Sequence, residues 1–132
     1  MNENSGYLID THIWLWWHID PDKLSSKSFG LIERAETPIY FSVVSAWEIV
    51  IKHSVGKLEL PYPPYTYVPK RLEVSHMDVL QVQLEHVLKV QNLPDHHKDP
   101  FDRLLIAQAL AENLTIISND RQLREYSSQI VW

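Results

Sequence analysis

Tyr7-Leu8-Ile9-Asp10-Thr11-His12 reads as a short apolar strand that ends in an acid and hands over to a helical pattern. The same arrangement, a carboxylate where a strand ends or a helix begins, recurs three times. The other stretches are Ser42-Val43-Val44-Ser45-Ala46-Trp47-Glu48, Asp99-Pro100-Phe101-Asp102-Arg103-Leu104-Leu105-Ile106-Ala107 and Thr115-Ile116-Ile117-Ser118-Asn119-Asp120. In an open α/β sheet such positions converge on the crevice outside the carboxyl ends of the strands. Four acids meeting there would repel one another unless a cation sat between them. Oxygen ligands alone favour Mg²⁺ or Mn²⁺.

Outward from these stretches, short apolar strands alternate with longer helical patterns, which predicts an α/β fold with a mostly parallel central sheet and helices on both faces. Strands are expected at Tyr7 to Asp10, Ile39 to Ser42, Leu72 to Val74, Thr115 to Ser118 and Ile130-Val131. Helices are expected at Thr11 to Trp17, Ser25 to Ala35 (capped by Ser25 or Ser26), Val44 to Val55, Met77 to Val90, Phe101 to Asn113 and Arg121 to Tyr126. Gly56 supplies the stop expected at the C-terminus of the Val44 to Val55 helix. Residues 61–69 hold half of the chain's eight prolines, so they are expected to be an ordered loop or an exposed arm, with entry into a short helix left open, and neither a central strand nor a helix interior.

With 132 residues, 45% of them hydrophobic, the chain is long and apolar enough for one domain spanning 1–132 with a real core. No apolar run approaches the roughly 20 residues a membrane span needs, and no membrane role is expected. The N-terminal residues lack a signal-peptide pattern and there is no cysteine, so a cytoplasmic location is the natural expectation. The net charge of −5 argues against charge-driven nucleic-acid binding. It leaves room for a nucleic-acid enzyme whose clustered carboxylates are neutralised by metal, and it suits a partner that brings arginines or lysines.

Each acid has a plainer reading. Asp10 and Asp120 sit where N-caps sit, with Gln122 placed to complete a capping box after Asn119. Glu48 lies on the stripe of Val44, Trp47, Ile51 and Val55, where a carboxylate is costly unless paired or metal-bound; Lys52, four residues on, offers an ordinary ion pair. Asp99 before Pro100 matches a cap followed by proline at the first helical position. Asp102 continues the stripe of Leu105, Ile106, Ala109 and Leu110 and so faces the sheet. The metal-binding and catalytic set is therefore Asp10, Glu48, Asp102 and Asp120, with Asp99 as a cap. Such a pocket suits hydrolysis of a phosphodiester by metal-activated water. Thr11 and Ser45 are candidates to hydrogen-bond the carboxylates, and Lys52, Lys98, Arg103 and Arg121 to contact backbone phosphates.

In this order, Leu8 to His12, Ser45 to Ile49, Asp99 to Ala109 and Ile117 to Asp120 resemble PIN-domain proteins, most nearly the VapC-type toxins of toxin–antitoxin systems. Gly56-Lys57-Leu58-Glu59-Leu60-Pro61 is similar to the segment after the glutamate helix in one branch of that family. The resemblance runs from about Tyr7 to Asp120. It implies a Mg²⁺- or Mn²⁺-dependent endoribonuclease, often a homodimer, held inactive by a small antitoxin, with Asp10, Glu48, Asp102 and Asp120 as its acidic site. The antitoxin expected here has an apolar helix that buries exposed aromatics, Trp14 and Trp17 being the candidates, and a basic tail that enters the pocket.

The seven histidines show no zinc-like spacing and read as structural or surface groups. Tyr62, Tyr65 and Tyr67 read as packing of the proline-rich arm. The alternative function is a catalytically inactive PIN-like module that sequesters a protein or RNA. A phosphoryl-accepting signalling domain fits less well, because Asp10 is followed by Thr-His and the late strand ends in Ser-Asn-Asp. Three glycines that form neither GxGxxG nor a P-loop speak against a nucleotide-binding domain.

Overall fold

Leu8 and Ile9 are neighbours on one strand yet belong to two different apolar clusters, as the two-residue period of a strand requires. Ile116 and Ile117 divide in the same way. Both faces of the sheet are therefore covered, the arrangement that parallel sheets demand. The computed structural model of the chain describes residues 6–95, 99–126 and 129–132. Its strands are β1 (Tyr7–Ile9), β2 (Ile39–Ser42), β3 (Asp78–Leu80), β4 (Thr115–Ile117) and β5 (Ile130–Val131), and its α-helices α1 (Thr11–Ile19), α2 (Ser26–Glu33), α3 (Val43–Ser54), α4 (Pro64–Val74), α5 (Leu84–Lys89) and α6 (Pro100–Glu112). The strands pair in parallel in the order β3-β2-β1-β4-β5.

On one face Ile9, Phe41 and Ile117 pack against Ile13 and Trp14 of α1, Ile32 of α2 and Tyr67 of α4. Trp14 is fully buried, its ring 4.6 Å from that of Phe41. On the other face Leu8 and Ile116 meet Leu105, Ile106 and Ala109 of α6. Helix ends follow local chemistry. Ser25 and Ser42 accept from the Ser28 and Val44 amides to cap α2 and α3. Asn113 closes α6 at φ 56°, and Gly56 turns the chain after α3 at φ 76°, a conformation in which a Cβ would be strained.

The centre of the sheet fixes where a site can lie. From β1 the chain goes to β2 on one side, while β4 returns on the other, so the β1/β4 boundary is the point at which connections diverge. Crevices at such points open at the carboxyl ends of the strands. Asp10 follows β1 there, and Ser118, Asn119 and Asp120 follow β4.

Three expectations are corrected. The proline-rich 61–69 segment is a loop only to Pro63; Pro64 opens α4 and Pro69 lies inside it. Burial of Tyr67 and Val68 outweighs the missing amide of one exposed proline. Leu72 to Val74 ends that helix and is not a strand. The helix expected over Met77 to Val90 is split: Asp78–Leu80 adds to the edge of the sheet beside β2, and α5 starts only at Leu84. Arg121–Glu125 is helical but of the tighter 3-10 form.

Candidate functional site

Five carboxylates, Asp10, Glu48, Asp99, Asp102 and Asp120, line one pocket of about 260 Å³ at the head of β1 and β4. The four acids expected as metal ligands are thus brought together, and Asp99 joins them while also doing the capping work expected of it. Its side chain accepts from the Phe101 amide at 2.9 Å. Asp10 stands at the N-cap position of α1 without a side-chain capping bond; it accepts instead from Ser118 Oγ at 2.7 Å. Asp120 accepts from the Gln122 amide, so its turn role and its place in the pocket coexist.

Electrostatic strain in this pocket is large. Burial pushes the Asp10 carboxyl above the usual aspartate range, and Glu48 adds to the rise while the Ser118 bond and His12 oppose it. Asp102 is pushed up to about 8, first by burial and then by Asp10, Asp99, Glu48 and Asp120. Glu48 is 3% exposed. Its Oε2 accepts from the Lys52 ammonium one turn on, while Oε1 is buried with no hydrogen-bond partner. Burial lowers the Lys52 pKa, but Glu48, Asp99 and Asp102 outweigh it and the net shift is upward. Glu48 is therefore paired with Lys52 through one oxygen, while its other oxygen is left without a partner.

This donor set suits a hard divalent cation. All ligand candidates are oxygens, one buried carboxylate oxygen lacks a partner, and the acids raise one another's affinity for protons, which is to say for positive charge. Lys52 supplies counter-charge without metal.

A different trio lies closest together. Among the described residues, only Glu85, His86 and Glu112 bring three candidate ligand atoms within 4.8 Å of one another. Hydrogen bonding argues against a metal there. His86 Nδ1 accepts from the Gln83 amide at 3.0 Å, which places the ring proton on Nε2, and Nε2 donates to Glu112 at 2.8 Å. Both nitrogens are used, and the ring latches α5 onto α6.

The remaining expected residues divide. Thr11 Oγ1 donates to Ser45 Oγ at 2.8 Å rather than to a carboxylate, whereas the Ser118 hydroxyl does reach an acid, Asp10. Arg103 is withdrawn as a phosphate contact: its guanidinium donates to the carbonyls of Val90 and Pro94 and to the Tyr126 hydroxyl. Lys52 lines the pocket and Arg121 is exposed near it in sequence. Lys98 lies outside the described residues, as do His96 and His97. Trp14 is withdrawn as a partner contact because it is fully buried; Trp17 is half-buried against Phe29. Sequence reading missed His12 and Asn119 as pocket groups and Ser118 as the hydrogen-bond partner of Asp10. The signal for Ser118 was its position one residue beyond a strand that pairs with β1.

The family model for the PIN domain matches residues 7–128. Ribonuclease VapC22 of Mycobacterium tuberculosis is 25% identical over 120 residues, 90% of each chain. Among solved structures, VapBC2 from Rickettsia felis bound to a DNA fragment from its promoter superposes with a TM-score of 0.68 at 16% identity, covering 96% of each chain. A toxin–antitoxin complex from Klebsiella pneumoniae gives 0.62 at 14% identity, again covering 96% of each chain. At these identities the structural likeness speaks for the fold.

Proposed function

The chain belongs to the PIN-domain family, and from that premise we propose that it is a divalent-metal-dependent endoribonuclease, the toxin of a toxin–antitoxin pair. The observation that carries the reading is the pocket in which Asp10, Glu48, Asp102 and Asp120 face one another at the head of the sheet. The relative named a ribonuclease supports the same reading.

Asp10, Glu48, Asp102 and Asp120 would hold Mg²⁺ or Mn²⁺. A metal held there would supply a water of lowered pKa and a counter-charge for the phosphodiester oxygens. The protein's own work is positioning. Ser118 fixes one Asp10 oxygen, which orients the other. Asp99 holds the first turn of α6 and with it the backbone of Asp102. Lys52 pairs with Glu48 and lines the same pocket, where its ammonium can also meet a backbone phosphate. Arg121 is the exposed cation best placed by sequence to meet the RNA backbone.

An acidic pocket of this kind is open to inhibition by a basic residue that competes with metal. The partner proposed is therefore a small antitoxin with an apolar helix and a basic tail. A homodimer fits the exposed apolar side chains of α5, where Leu84, Val87 and Leu88 all face outward. Among the described residues no helix is long and apolar enough to cross a membrane.

The test is incubation of purified protein with total RNA in Mg²⁺, Mn²⁺ or EDTA, beside Asp102→Asn. Cleavage is expected with either metal, none with EDTA, and a loss of more than about 100-fold in the variant, beyond what losing an outer-shell partner costs. Cleavage that survives EDTA, or survives Asp102→Asn, overturns the reading. A folded protein that binds RNA and never cuts it favours the inactive binding module.

A further inference from the structure

A second pocket, of about 400 Å³, opens beside the carboxylates and shares three walls with them: His12, Glu48 and Lys52. Its floor is apolar, from Leu15, Ile49 and Leu58. One wall is the Trp16 indole, which His12 meets edge-on at 5.5 Å and over which the Lys23 ammonium lies at 5.6 Å. The strap 57–59 also lines it. Gly56 makes that strap by turning at φ 76°, Lys57 N bonds back to the Lys52 carbonyl at 2.9 Å, and Leu58 packs into the core. The strap thus presents Lys57 and Glu59 to the pocket on a fixed backbone.

We propose that this pocket is a nucleotide subsite: it takes the base of an unpaired RNA residue flanking the scissile phosphate. The inference rests on the ribonuclease reading and deepens it. An apolar floor beside an indole offers the kind of surface on which bases of single-stranded RNA stack. Its volume lies within the range of small-ligand pockets. An entering base takes the place of Lys23 over the Trp16 ring, and the displaced ammonium is left beside the sugar–phosphate chain together with Lys57. Asp20 and Glu59, which also line the pocket, offer only acceptors, and these suit amino and hydroxyl groups at a base edge or ribose. Because the two pockets share Glu48 and Lys52, a nucleotide seated here places its neighbouring phosphate over the carboxylates. An apolar side chain of a protein partner is the competing occupant; the lysines over and beside the indole favour the nucleotide.

The probe is a short unstructured RNA carrying fluorescein, titrated by anisotropy with Mn²⁺ in an Asp102→Asn background so that it stays intact. Trp16→Leu is expected to weaken binding about tenfold, the scale of one lost stacking contact, and Lys57→Ala severalfold, while Trp16→Phe retains most of the affinity. In the active background the same changes should raise KM more than they lower kcat and should alter which positions of the probe are cut. Trp16 also packs near Trp132; should Trp16→Leu not fold, the exposed Lys57 and the cut map decide. Unchanged affinity and an unchanged cut map in Trp16→Leu, or in Lys57→Ala alone, overturn the subsite. So does a loss of protein-partner binding with RNA affinity intact. Absence of cleavage by the wild-type chain would sink the ribonuclease reading instead, and the anisotropy series would still judge the subsite.

Discussion

Asp102 keeps its proton up to about pH 8 because it is buried among four other carboxylates. Its ordinary value is 3.8, so between these limits the folded chain holds a proton that the unfolded chain releases. Stability then falls as pH rises through that window. Without metal, Asp102→Asn should raise the melting temperature at pH 8 more than at pH 5, and a pH series of thermal melts checks it. His18 works in the opposite sense. Burial and Arg71 lower it to about 4 from 6.5, and its Nε2 is buried without a partner against Trp14. Its contribution is present above about 6.5 and lost as pH falls towards 4, where the unfolded chain takes the proton first. His18→Phe should flatten the acid side of the same melting profile, and an unchanged acid limb would contradict the assignment.

At the scale of elements, α6 is the piece on which the site hangs. It carries Asp102, it is capped by Asp99, and Gln108 from its middle is fully buried, accepting from Ser42 and donating to the Gln81 carbonyl. Gln108→Leu should cost about 1–3 kcal/mol, because a buried hydroxyl and a buried carbonyl lose their partner; urea denaturation measures it. Asp99→Ala should cost about 1 kcal/mol as a lost cap, with Asp99→Ser recovering most of the stability. Elements like α6 were legible in the sequence because cap, proline, stripe and stop agree along one run of residues. Short apolar runs handing over to helical patterns marked β1 and β2, a stripe with a glycine stop marked α3, and with them came the places of Asp10 and Glu48. Where signals conflicted, the reading went astray. Pro69 hid α4, whose helicity depends on burying Tyr67 and Val68 rather than on local propensity. Met77, Leu80 and Leu84 fall at helical spacing, yet they straddle β3 and α5, and only the open edge of β2 explains the strand. Arg103 looked like a phosphate contact because its carbonyl partners at Val90 and Pro94 are distant enough in sequence to be invisible there.

At the scale of the whole molecule, the sheet order puts the ends of β1 and β4 side by side, and four segments scattered from residue 10 to residue 120 deliver carboxylates to that one place. The molecule accepts the repulsion, and on the proposed reading a divalent cation would relieve it. The measurement that tests this most directly is the melting temperature with and without Mn²⁺ for the wild-type chain, Asp10→Asn and Glu48→Gln. At about a hundredfold excess over Kd, binding to the folded state stabilises it by about 2.7 kcal/mol, several degrees for a chain of this size. The wild-type chain should show that rise and the two variants should lose most of it, starting from apo melting temperatures no lower than wild type for Asp10→Asn. An equal rise in all three proteins, or none in the wild type, would contradict a metal held by these carboxylates.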